Sequence, residues 1–457
     1  MQKWWKEKTN WKTAYFRLIL CYTAIIMKYD KIDTRLFMEN RKRFVKKMKP
    51  NAVAVFTSNA IMPRSADAGY NWRQNPDLFY LTGIDQEETY LILFPDAPKA
   101  EWKEVLFVRE TNDHIAVWEG KKHNKAEATA FSGISNVQWS SGFEQLLNVI
   151  ALQASTIYLN ANENDRAEGF PHTAETELAK AVKTKFPMHA YERSAPIMHE
   201  LRSQKSDIEV DLLRKAIDIT NKGFHRALSF VKPGVWEYEV EAEITYEYLR
   251  NRGTGHAYTP IVATGGNACV LHYITNSMQC KDGDLLLMDC GAEYGNYCAD
   301  LTRTIPVNGR FSKRQKAVYN AVLRVHNEAK KMMKAGMVLN DFNMAVGNIM
   351  EKELIGLGLL KAADVKKQDK KSPLYKKYFP HGTAHFLGID VHDVGNRYAK
   401  LKAGTVLTCE PGIYIQEENI GIRIENNIVI TNGKAIDLMV NVPIEVDEIE
   451  ALMNKKK

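Results

Sequence analysis

At 457 residues, the chain is long enough for two sizeable domains, each with its own hydrophobic core. Its composition is typical of a globular soluble protein, with 45% hydrophobic and 26% charged residues and neither a repeat nor a low-complexity tract. The formal net charge of +7 is modest for this length and the basic residues are scattered, so no nucleic-acid-binding surface is predicted.

The first 27 residues contain an apolar run from Leu18 to Met27 behind a basic start, which imitates a signal peptide. The run is about ten residues long, too short for a membrane span, and no small-residue cleavage site follows it. We therefore predict no membrane association and interpret residues 1–27 as an upstream extension or unstructured segment, with Met27 as the real start. The six cysteines include no C-x-x-C pair, which favours reduced thiols and a cytoplasmic protein but leaves a disulfide open.

Residues 28–200 are predicted to form an α/β domain. A basic helix is expected over residues 34–50, with Pro50 as its stop. Four strand-like segments follow, AVAVF, TYLILFP, EVLFV and STIYLN, and helical stretches such as GFEQLLNVIALQ lie between some of them. This alternation is typical of an α/β domain, and polarity rises at residues 191–207, where we place its boundary.

Residues 201–445 are predicted to form a second domain of the α+β class. A long helix is expected to begin after Ser206 or Asp207 as its N-cap, and a second helix should span about residues 237–250. Two further helical stretches follow, KRQKAVYNAVLRVHNEAKKMM and FNMAVGNIMEKELIGLG, and strand-like segments lie on both sides of them. Residues 446–457 are expected to be a basic tail.

The segment LLLMDCGAEYGNYCADLTRTIPV places two aspartates in what reads as a buried β-hairpin. Asp289 ends an apolar run and Asp300 follows eleven residues later. A turn centred between Tyr294 and Gly295 would place the two aspartates directly opposite each other. Cross-strand partners have Cβ atoms about 4.5–5.5 Å apart, so two buried carboxylates there need a positive charge between them. The commoner alternative is two solvated aspartates on an exposed hairpin, against which the apolar strand argues.

A second pair of acids is predicted to face across another hairpin. Glu410 follows a strand-like run in TCEPGIYI, and Glu425 lies in GIRIENNIVI. The two positions are symmetric about Glu417-Glu418, so a hairpin closed there places them side by side. A dense histidine motif, HGTAHFLGIDVHDVG, precedes this hairpin.

Four carboxylates and one histidine form an oxygen-rich set without a thiolate. Such a set suits Mn²⁺ or a similarly hard ion better than structural zinc, and two divalent ions would balance the four negative charges. A structural role is the more frequent outcome for any one of these residues alone. The two symmetric pairs together with the histidine motif favour a metal site.

The ordered segments MDCGAEYGNYCADLTRTIPVNG, HGTAHFLGIDVHDVG, CEPGIYI and IRIEN closely resemble those of the pita-bread metallopeptidases, which include methionine aminopeptidase, prolidase, creatinase and aminopeptidase P. Residues 63–95 resemble part of the N-terminal domain of aminopeptidase P, and GGNACVLHYITNS resembles its substrate-side histidine segment. The resemblance covers about residues 34–445. It implies an α+β fold in which a pita-bread catalytic domain is preceded by a smaller α/β N-terminal domain.

The resemblance also implies a metal-binding role for five residues. Asp289 would ligate one of two divalent metal ions, for which Mn²⁺ is the expected metal. Asp300 and Glu425 would bridge both ions, and His385 and Glu410 would complete the two coordination spheres.

Catalytic and substrate-binding roles follow for residues around these ligands. Glu410 would carry a proton from the activated water to the leaving nitrogen. His272 and His392 would donate hydrogen bonds to the developing oxyanion or hold the peptide backbone. The other matched positions are a supporting histidine, an arginine and a tyrosine: His381, Arg423 and Tyr414.

Through the resemblance, two positions of the N-terminal half imply assembly beyond one chain. Asp67 matches an acidic residue that the family is thought to place near a neighbouring subunit's site. Trp118 matches, in a looser alignment, a tryptophan contributed across subunits. A dimer or tetramer is therefore expected.

The function implied is that of an Xaa-Pro aminopeptidase, which releases the first residue from peptides with proline at the second position. Prolidase, which cleaves only Xaa-Pro dipeptides, is the near alternative, because the sequence does not show whether longer peptides fit the cleft. A non-catalytic pita-bread module that binds other proteins is the alternative from another class. Such a module is expected to have lost metal ligands, and every ligand position is filled here.

Overall fold

The computed structural model describes residues 28–164, 166 and 172–455. The predictions for residues 1–27 therefore lie outside the described residues. Within the described ranges, every helix is too short or too polar to cross a membrane. Five of the cysteines are described and all five are free thiols, as expected for reduced cysteines.

The first half of the chain folds around a six-stranded mixed sheet with the strand order β6-β5-β4-β1-β7-β8. Two short strands, β2 and β3, form a separate exposed hairpin. The strands are β1 (Ala52–Thr57), β2 (Pro63–Ser65), β3 (Ala68–Gly69), β4 (Tyr90–Leu93), β5 (Glu104–Val108), β6 (Asn136–Trp139), β7 (Thr156–Leu159) and β8 (Ala190–Arg193). The helices are α1 (Thr34–Val45), α2 (Pro76–Thr82), α3 (Asp113–Glu119), α4 (Lys125–Ser132), α5 (Phe143–Ala151), α6 (Ala174–Lys185) and α7 (Ala195–Ser203).

Helices cover both faces of this sheet, which explains why its strands read as continuous apolar runs. In β1, Val53 packs in a cluster with residues of α5 and α6, whereas Phe56 points to the opposite face. On that opposite face, Phe56 lies against Phe44 of α1, with ring centroids 5.3 Å apart. The core beneath α1 continues into the second half of the chain, so the two halves share one hydrophobic core. The predicted α/β architecture is confirmed.

The second half consists of a helical layer and four small antiparallel sheets, ordered β10-β11-β14, β13-β12-β9, β15-β18-β19 and β16-β17. The helices are α8 (Asp207–Phe230), α9 (Glu237–Arg250), α10 (Lys313–Met332), α11 (Leu339–Gly356), α12 (Ala362–Val365) and α13 (Val446–Met453). The strands before α10 are β9 (Gly255–His256), β10 (Ile261–Thr264), β11 (Leu285–Asp289), β12 (Ala292–Tyr294), β13 (Tyr297–Cys298) and β14 (Thr302–Pro306). Those after α12 are β15 (Val406–Cys409), β16 (Gly412–Ile415), β17 (Ile420–Arg423), β18 (Asn426–Val429) and β19 (Ile436–Asp437).

The long helix α8 begins directly after Ser206, which forms a capping box with Glu209. The Ser206 side chain accepts a hydrogen bond from the backbone N–H of Glu209, and the Glu209 carboxylate accepts one from the N–H of Ser206. This capping box satisfies two backbone donors that the first turn leaves free. Ser206, rather than Asp207, is therefore the N-cap, and α9 has the bounds that the sequence predicts.

The interval expected to be a basic tail is instead structured over most of its length. Residues Val446–Met453 form α13, whose Val446 and Ile449 are buried in the shared core. Glu450 accepts a hydrogen bond from the backbone N–H of Phe311 at 2.8 Å. Apolar residues one turn apart dock this helix, and the terminal lysines conceal that pattern.

Candidate metal centre

The first hairpin brings Asp289 and Asp300 together, but not as directly opposed partners. Strand β11 pairs antiparallel with β14, and in this register Asp289 lies opposite Thr302. The predicted register is therefore wrong by two residues, and Asp300 is the diagonal neighbour of Asp289 on the same face. The cause is the turn, whose central residues are Gly295 and Asn296, with φ values of 58° and 64°. A type I′ turn needs positive φ at both central positions, which glycine and asparagine tolerate best.

Between the two aspartates, the strands of the hairpin approach closely at Gly291. A Cβ atom there would lie 1.8 Å from the carbonyl oxygen of Ala299, so only glycine fits. Tyr258 reaches the same region from the segment before β10. Its hydroxyl lies 2.5 Å from Oδ1 of Asp289 and 2.7 Å from Oδ1 of Asp300. The hydroxyl carries one proton, so it donates to one carboxylate at a time and holds the pair together.

The second hairpin has the predicted register. Cys409 pairs with Asn426 and Gly412 pairs with Arg423, so the same register places Glu410 opposite Glu425. Both glutamates lie where the strands are interrupted, between β15 and β16 on one side and between β17 and β18 on the other. The interruption frees the two side chains from a regular ladder and lets them point into a shared site.

His385 lies between the two hairpins and connects their acids. Its Nε2 is 3.3 Å from Oδ2 of Asp300 and 3.6 Å from Oε1 of Glu410. Its Nδ1 donates to the carbonyl oxygen of Phe386 at 2.9 Å, which leaves Nε2 facing the carboxylates. Burial would lower the pKa of His385, but the hydrogen bond to Asp300 and the charge of Glu410 outweigh burial and raise it.

The acids of this centre carry more negative charge than the surrounding protein neutralises. Burial, followed by repulsion from Asp300, raises the pKa of Glu425 well above its usual value. Burial raises the pKa of Glu410 to about 7, and it raises that of Asp289 in spite of the charge of Arg423. Buried like charges of this kind are stable only with added positive charge or protons.

The geometry and the chemistry of the donors fit divalent cations. In the described part of the chain, ligand atoms of Asp300, His385 and Glu425 all lie within 4.8 Å of one another. Asp289 and Glu410 border this trio through Tyr258 and His385. Oxygen donors with one imidazole and no thiolate are the set that hard divalent ions prefer.

A chain of hydrogen bonds leads from Asp289 to His381. Arg423 donates from Nη2 to Oδ2 of Asp289 at 2.6 Å and from Nη1 to the hydroxyl of Tyr414 at 2.8 Å. The carbonyl oxygen of Gly382 can only accept, so Nδ1 of His381, 2.7 Å away, carries the ring proton and donates it. Nε2 of the neutral ring then accepts from the Tyr414 hydroxyl at 2.7 Å.

Electrostatics support the same protonation state for His381. Burial, followed by the charge of Arg423, lowers the pKa of His381 to about 3, so this imidazole is neutral at pH 7. Its Nδ1 lies 3.9 Å from Oε2 of Glu410. The side chain of His381 therefore offers the site a neutral ring with a fixed orientation.

Three supporting residues were missed by the sequence analysis: Tyr258, Thr302 and Arg303. Thr302 donates to Oε2 of Glu425 at 2.7 Å and accepts from Nε of Arg423 at 3.0 Å. Arg303 is fully buried and donates from Nη1 to the carbonyl oxygen of Glu425 at 2.6 Å. Arg303 alternates with the buried Leu301, which directly precedes β14, and with Ile305 along one face of the strand, and an arginine on such an apolar face is a signal that could have revealed it. Tyr258 lies in an irregular loop, where no periodic pattern points to the site.

His392 and His272 lie at the edge of the centre. The ring of His392 packs edge-to-face on His385, with centroids 4.4 Å apart. Burial, followed by the charge of His385, lowers the pKa of His392 to about 3. His272 is exposed, and its charge helps to lower the pKa of both His381 and His392. A cavity of about 820 Å³ opens beside His385 and His392, within the size range of small-ligand sites.

Asp67 and Trp118 lie on the surface of the N-terminal half. Asp67 is exposed in the turn between β2 and β3, and Trp118 is 79% exposed on α3. Neither contributes to the acidic centre within one chain, and their predicted role at a neighbouring subunit's site stays a prediction.

The fold and the acid-rich centre define a two-domain metallopeptidase, and comparison with known proteins agrees. Residues 211–432 match the family model of metallopeptidase family M24, and residues 37–158 match that of the aminopeptidase P N-terminal domain. The chain is 34% identical to the Xaa-Pro aminopeptidase of Escherichia coli (strain K12) over 437 residues, which is 93% of this chain and 98% of that protein.

Solved structures give the same result. Aminopeptidase P from E. coli with the inhibitor Pro-Leu has a TM-score of 0.82 at 32% identity, over 93% of this chain and 99% of that chain. Pseudomonas aeruginosa aminopeptidase PepP has a TM-score of 0.83 at 31% identity, over 93% of this chain and 98% of that chain. The chain belongs to metallopeptidase family M24, in its aminopeptidase P branch.

The hydroxyl of Tyr258 can be tested directly. Tyr258→Phe is expected to lower kcat/KM for peptide hydrolysis about 10- to 100-fold, because both aspartates lose the partner that orients them. The measurement compares kcat/KM and the concentration of metal needed for half-maximal activity. Tyr238→Phe, at a half-exposed position on α9, is the matched control. Equal kinetics for Tyr258→Phe and wild type would show that the hydroxyl does not orient the ligands.

Proposed function

We propose that the chain is an Xaa-Pro aminopeptidase that uses two divalent metal ions, with Mn²⁺ as the expected metal. The main support for this proposal is that four acids and one imidazole converge from two hairpins and the histidine segment. The 34% identity to the E. coli Xaa-Pro aminopeptidase supports the substrate class. A zinc-substituted form of the E. coli enzyme in complex with product is also among the similar structures and supports metal dependence.

Five residues would hold the ions: Asp289, Asp300, His385, Glu410 and Glu425. When bound, two such ions supply Lewis acidity, which activates water as a nucleophile and polarises the scissile carbonyl. Tyr258, Thr302 and Arg303 keep the oxygens of these residues in place. Arg423 and Tyr414 orient Asp289 and His381 from the other side.

The proton transfers are assigned to Glu410. Its carboxylate faces His385 through Oε1 and His381 through Oε2, and it is proposed to take a proton from water and to release it to the leaving nitrogen. His392 lines the cavity and His272 lies at the edge of the centre, and both are proposed to hold the substrate backbone or its developing oxyanion. His381 keeps its ring neutral and faces Glu410 with Nδ1.

Specificity for proline at the second position follows from the chemistry of the Xaa-Pro bond. This bond is a tertiary amide without an N–H group, so a site cannot recognise it by accepting a backbone hydrogen bond. The shape of the ring and the free amino terminus must be recognised instead. The ring of His381 packs edge-to-face on Phe379 and Tyr414, and this aromatic neighbourhood is proposed to receive the compact apolar pyrrolidine ring.

Prolidase activity is the near alternative, and substrate length separates the two. We expect Ala-Pro-Ala to be cleaved after its first residue in the presence of Mn²⁺, and Ala-Ala-Ala to be cleaved far more slowly. Hydrolysis is measured by quantifying released alanine, with and without excess chelator. Cleavage confined to the dipeptide Ala-Pro would establish prolidase, and unchanged cleavage in chelator would exclude metal dependence. No cleavage of any peptide would favour a non-catalytic binding module.

Assembly and location complete the proposal. The exposed positions of Asp67 and Trp118 are compatible with contacts to another copy of the chain, and a dimer or tetramer is proposed. The five free thiols of the described residues support a reducing compartment, and a cytoplasmic location is proposed.

A further inference from the structure

The segment that joins the two halves of the chain ends against the loop that carries His392. Arg202 lies in the last turn of α7, and Lys205 immediately precedes the cap of α8. Both side chains are buried, with exposed fractions of 4% and 1%. Two buried cations on a short linker need anionic partners, and the loop of residues 389–395 supplies them.

Asp393, the residue after His392, receives both cations. Its Oδ1 lies 2.5 Å from Nη2 of Arg202, and its Oδ2 lies 2.8 Å from Nζ of Lys205. The same Oδ1 accepts a hydrogen bond from the backbone N–H of Val394 at 2.9 Å. Each oxygen of a fully buried carboxylate is therefore held, which fixes the backbone on the carboxyl side of His392.

A second contact holds the amino side of the same loop. Asp390 accepts from Nη2 of Arg202 at 2.7 Å and from Nη1 of Arg73 at 3.1 Å. Arg73 also donates to the carbonyl oxygens of Asn296 and Ile389, which links the loop to the turn of the first metal hairpin. The carbonyl oxygen of His392 itself accepts from Nδ2 of Asn164 at 2.8 Å.

We propose that Arg202 and Lys205 are positioning residues for catalysis, which act by holding the His392 ring in its contact with His385. This inference rests on the proposed function, because it assigns to the linker a part in the same reaction. The planar fork of Arg202 reaches Asp77, Asp390 and Asp393 at once, which the single ammonium group of a lysine cannot do. The joint between the two halves thereby sets the geometry of a side chain in the active site.

A double-mutant cycle tests this coupling. Arg202→Lys is expected to lower kcat for Ala-Pro-Ala about 10- to 100-fold, because a shift of about 1 Å in a positioned group has an effect of this size. In the His392→Ala background, the same substitution should change kcat less than about twofold, since the ring it positions is absent. An equal loss in both backgrounds would overturn the proposal. Lys205→Met is the second variant, with the same expectation.

Arg41→Lys is the matched control, because it also replaces a buried arginine by lysine but at a site away from the His392 loop. Arg41 is 1% exposed and donates to the carbonyl oxygens of Leu81 and Ser132, remote from the acidic centre. It should lower the unfolding midpoint in urea without changing kcat of the folded protein. A kcat loss in Arg41→Lys as large as that in Arg202→Lys would overturn the proposal. Replacement of any buried arginine by lysine would then lower kcat, whether or not the arginine contacts the His392 loop.

Crystal structures of wild type and Arg202→Lys decide the question independently of activity. The centroid distance between His385 and His392 is 4.4 Å, and we expect the variant to lengthen it by about 1 Å. An unchanged distance would overturn the positioning role even if no peptide is cleaved. Absence of Xaa-Pro hydrolysis by wild type, with the distance lengthened in the variant, would instead contradict the proposed function alone.

Discussion

Glu425→Gln is expected to lower kcat/KM for Ala-Pro-Ala by about three orders of magnitude or more, and yet to leave the metal-free protein at least as stable as wild type. The activity falls because one of the five proposed metal-holding side chains loses its charge, and a loss of about three orders of magnitude corresponds to about 4 kcal/mol on the transition state. The stability does not fall because Glu425 is 1% exposed and faces other acids. Glutamine removes the buried charge and keeps an oxygen that can accept from Thr302.

The sign of the stability effect depends on pH. The pKa of Glu425 is raised in the folded protein, first by burial and then by Asp300 and Glu410. A raised carboxyl pKa costs nothing at low pH, where the group is protonated in both states, and it destabilises the fold as pH rises above about 4.3, the usual glutamate value. The advantage of Glu425→Gln in metal-free protein should therefore emerge above that pH.

The measurement pairs kinetics in Mn²⁺ with urea unfolding in excess chelator. Glu328→Gln, on α10 where the side chain is 51% exposed, is the matched control and should change neither quantity appreciably. A Glu425→Gln variant that is markedly less stable without metal would mean that the glutamate has a structural partner. Retained activity would mean that it is not a ligand.

Asp393→Asn is expected to destabilise the protein by about 3–5 kcal/mol, because it leaves Arg202 and Lys205 buried without their full counter-charge. Burial alone would raise the pKa of Asp393, but Arg202 and Lys205 outweigh burial and hold it below the usual value. A depressed carboxyl pKa contributes stability above about pH 3.9 and loses that contribution as pH falls through the folded value. The difference between wild type and Asp393→Asn should therefore shrink in acid.

Urea unfolding followed by tryptophan fluorescence, at pH 7 and again at pH values stepped down below about 3.9, measures this difference. The matched control is Asp447→Asn, whose side chain is 97% exposed and whose ion pair with Lys316 spans 3.8 Å. We expect the control to change the free energy of unfolding by less than about 1 kcal/mol at either pH. Equal effects at Asp393 and Asp447 would show that the linker cations do not depend on the loop.

The elements with local signals could be predicted well from the sequence. Helix α9 has the predicted bounds, and α8 begins at a capping box that the letters Ser206 and Glu209 encode. The register of the second acidic hairpin is also as predicted, because its symmetry about Glu417-Glu418 matches the observed pairing. Local turn and capping chemistry was sufficient in these cases.

The errors and omissions have physical causes. In the first hairpin, the turn forms at Gly295 and Asn296, which tolerate positive φ. The strand pairing is therefore shifted by two residues from the predicted register. Tyr258 and the Arg202–Asp393 contact join segments far apart in sequence, and no periodicity records such tertiary neighbours. The docked helix α13 was hidden by the basic residues that follow it.

The number of metal ions bound per chain tests the central claim most directly. Metal-free protein is titrated with Mn²⁺ by equilibrium dialysis, and bound metal is counted for wild type and for Glu425→Gln. The predicted result is two ions per wild-type chain, weakened binding in the variant, and hydrolysis of Ala-Pro-Ala that rises with occupancy. Peptide hydrolysis by a wild-type chain that binds no divalent ion would contradict the account.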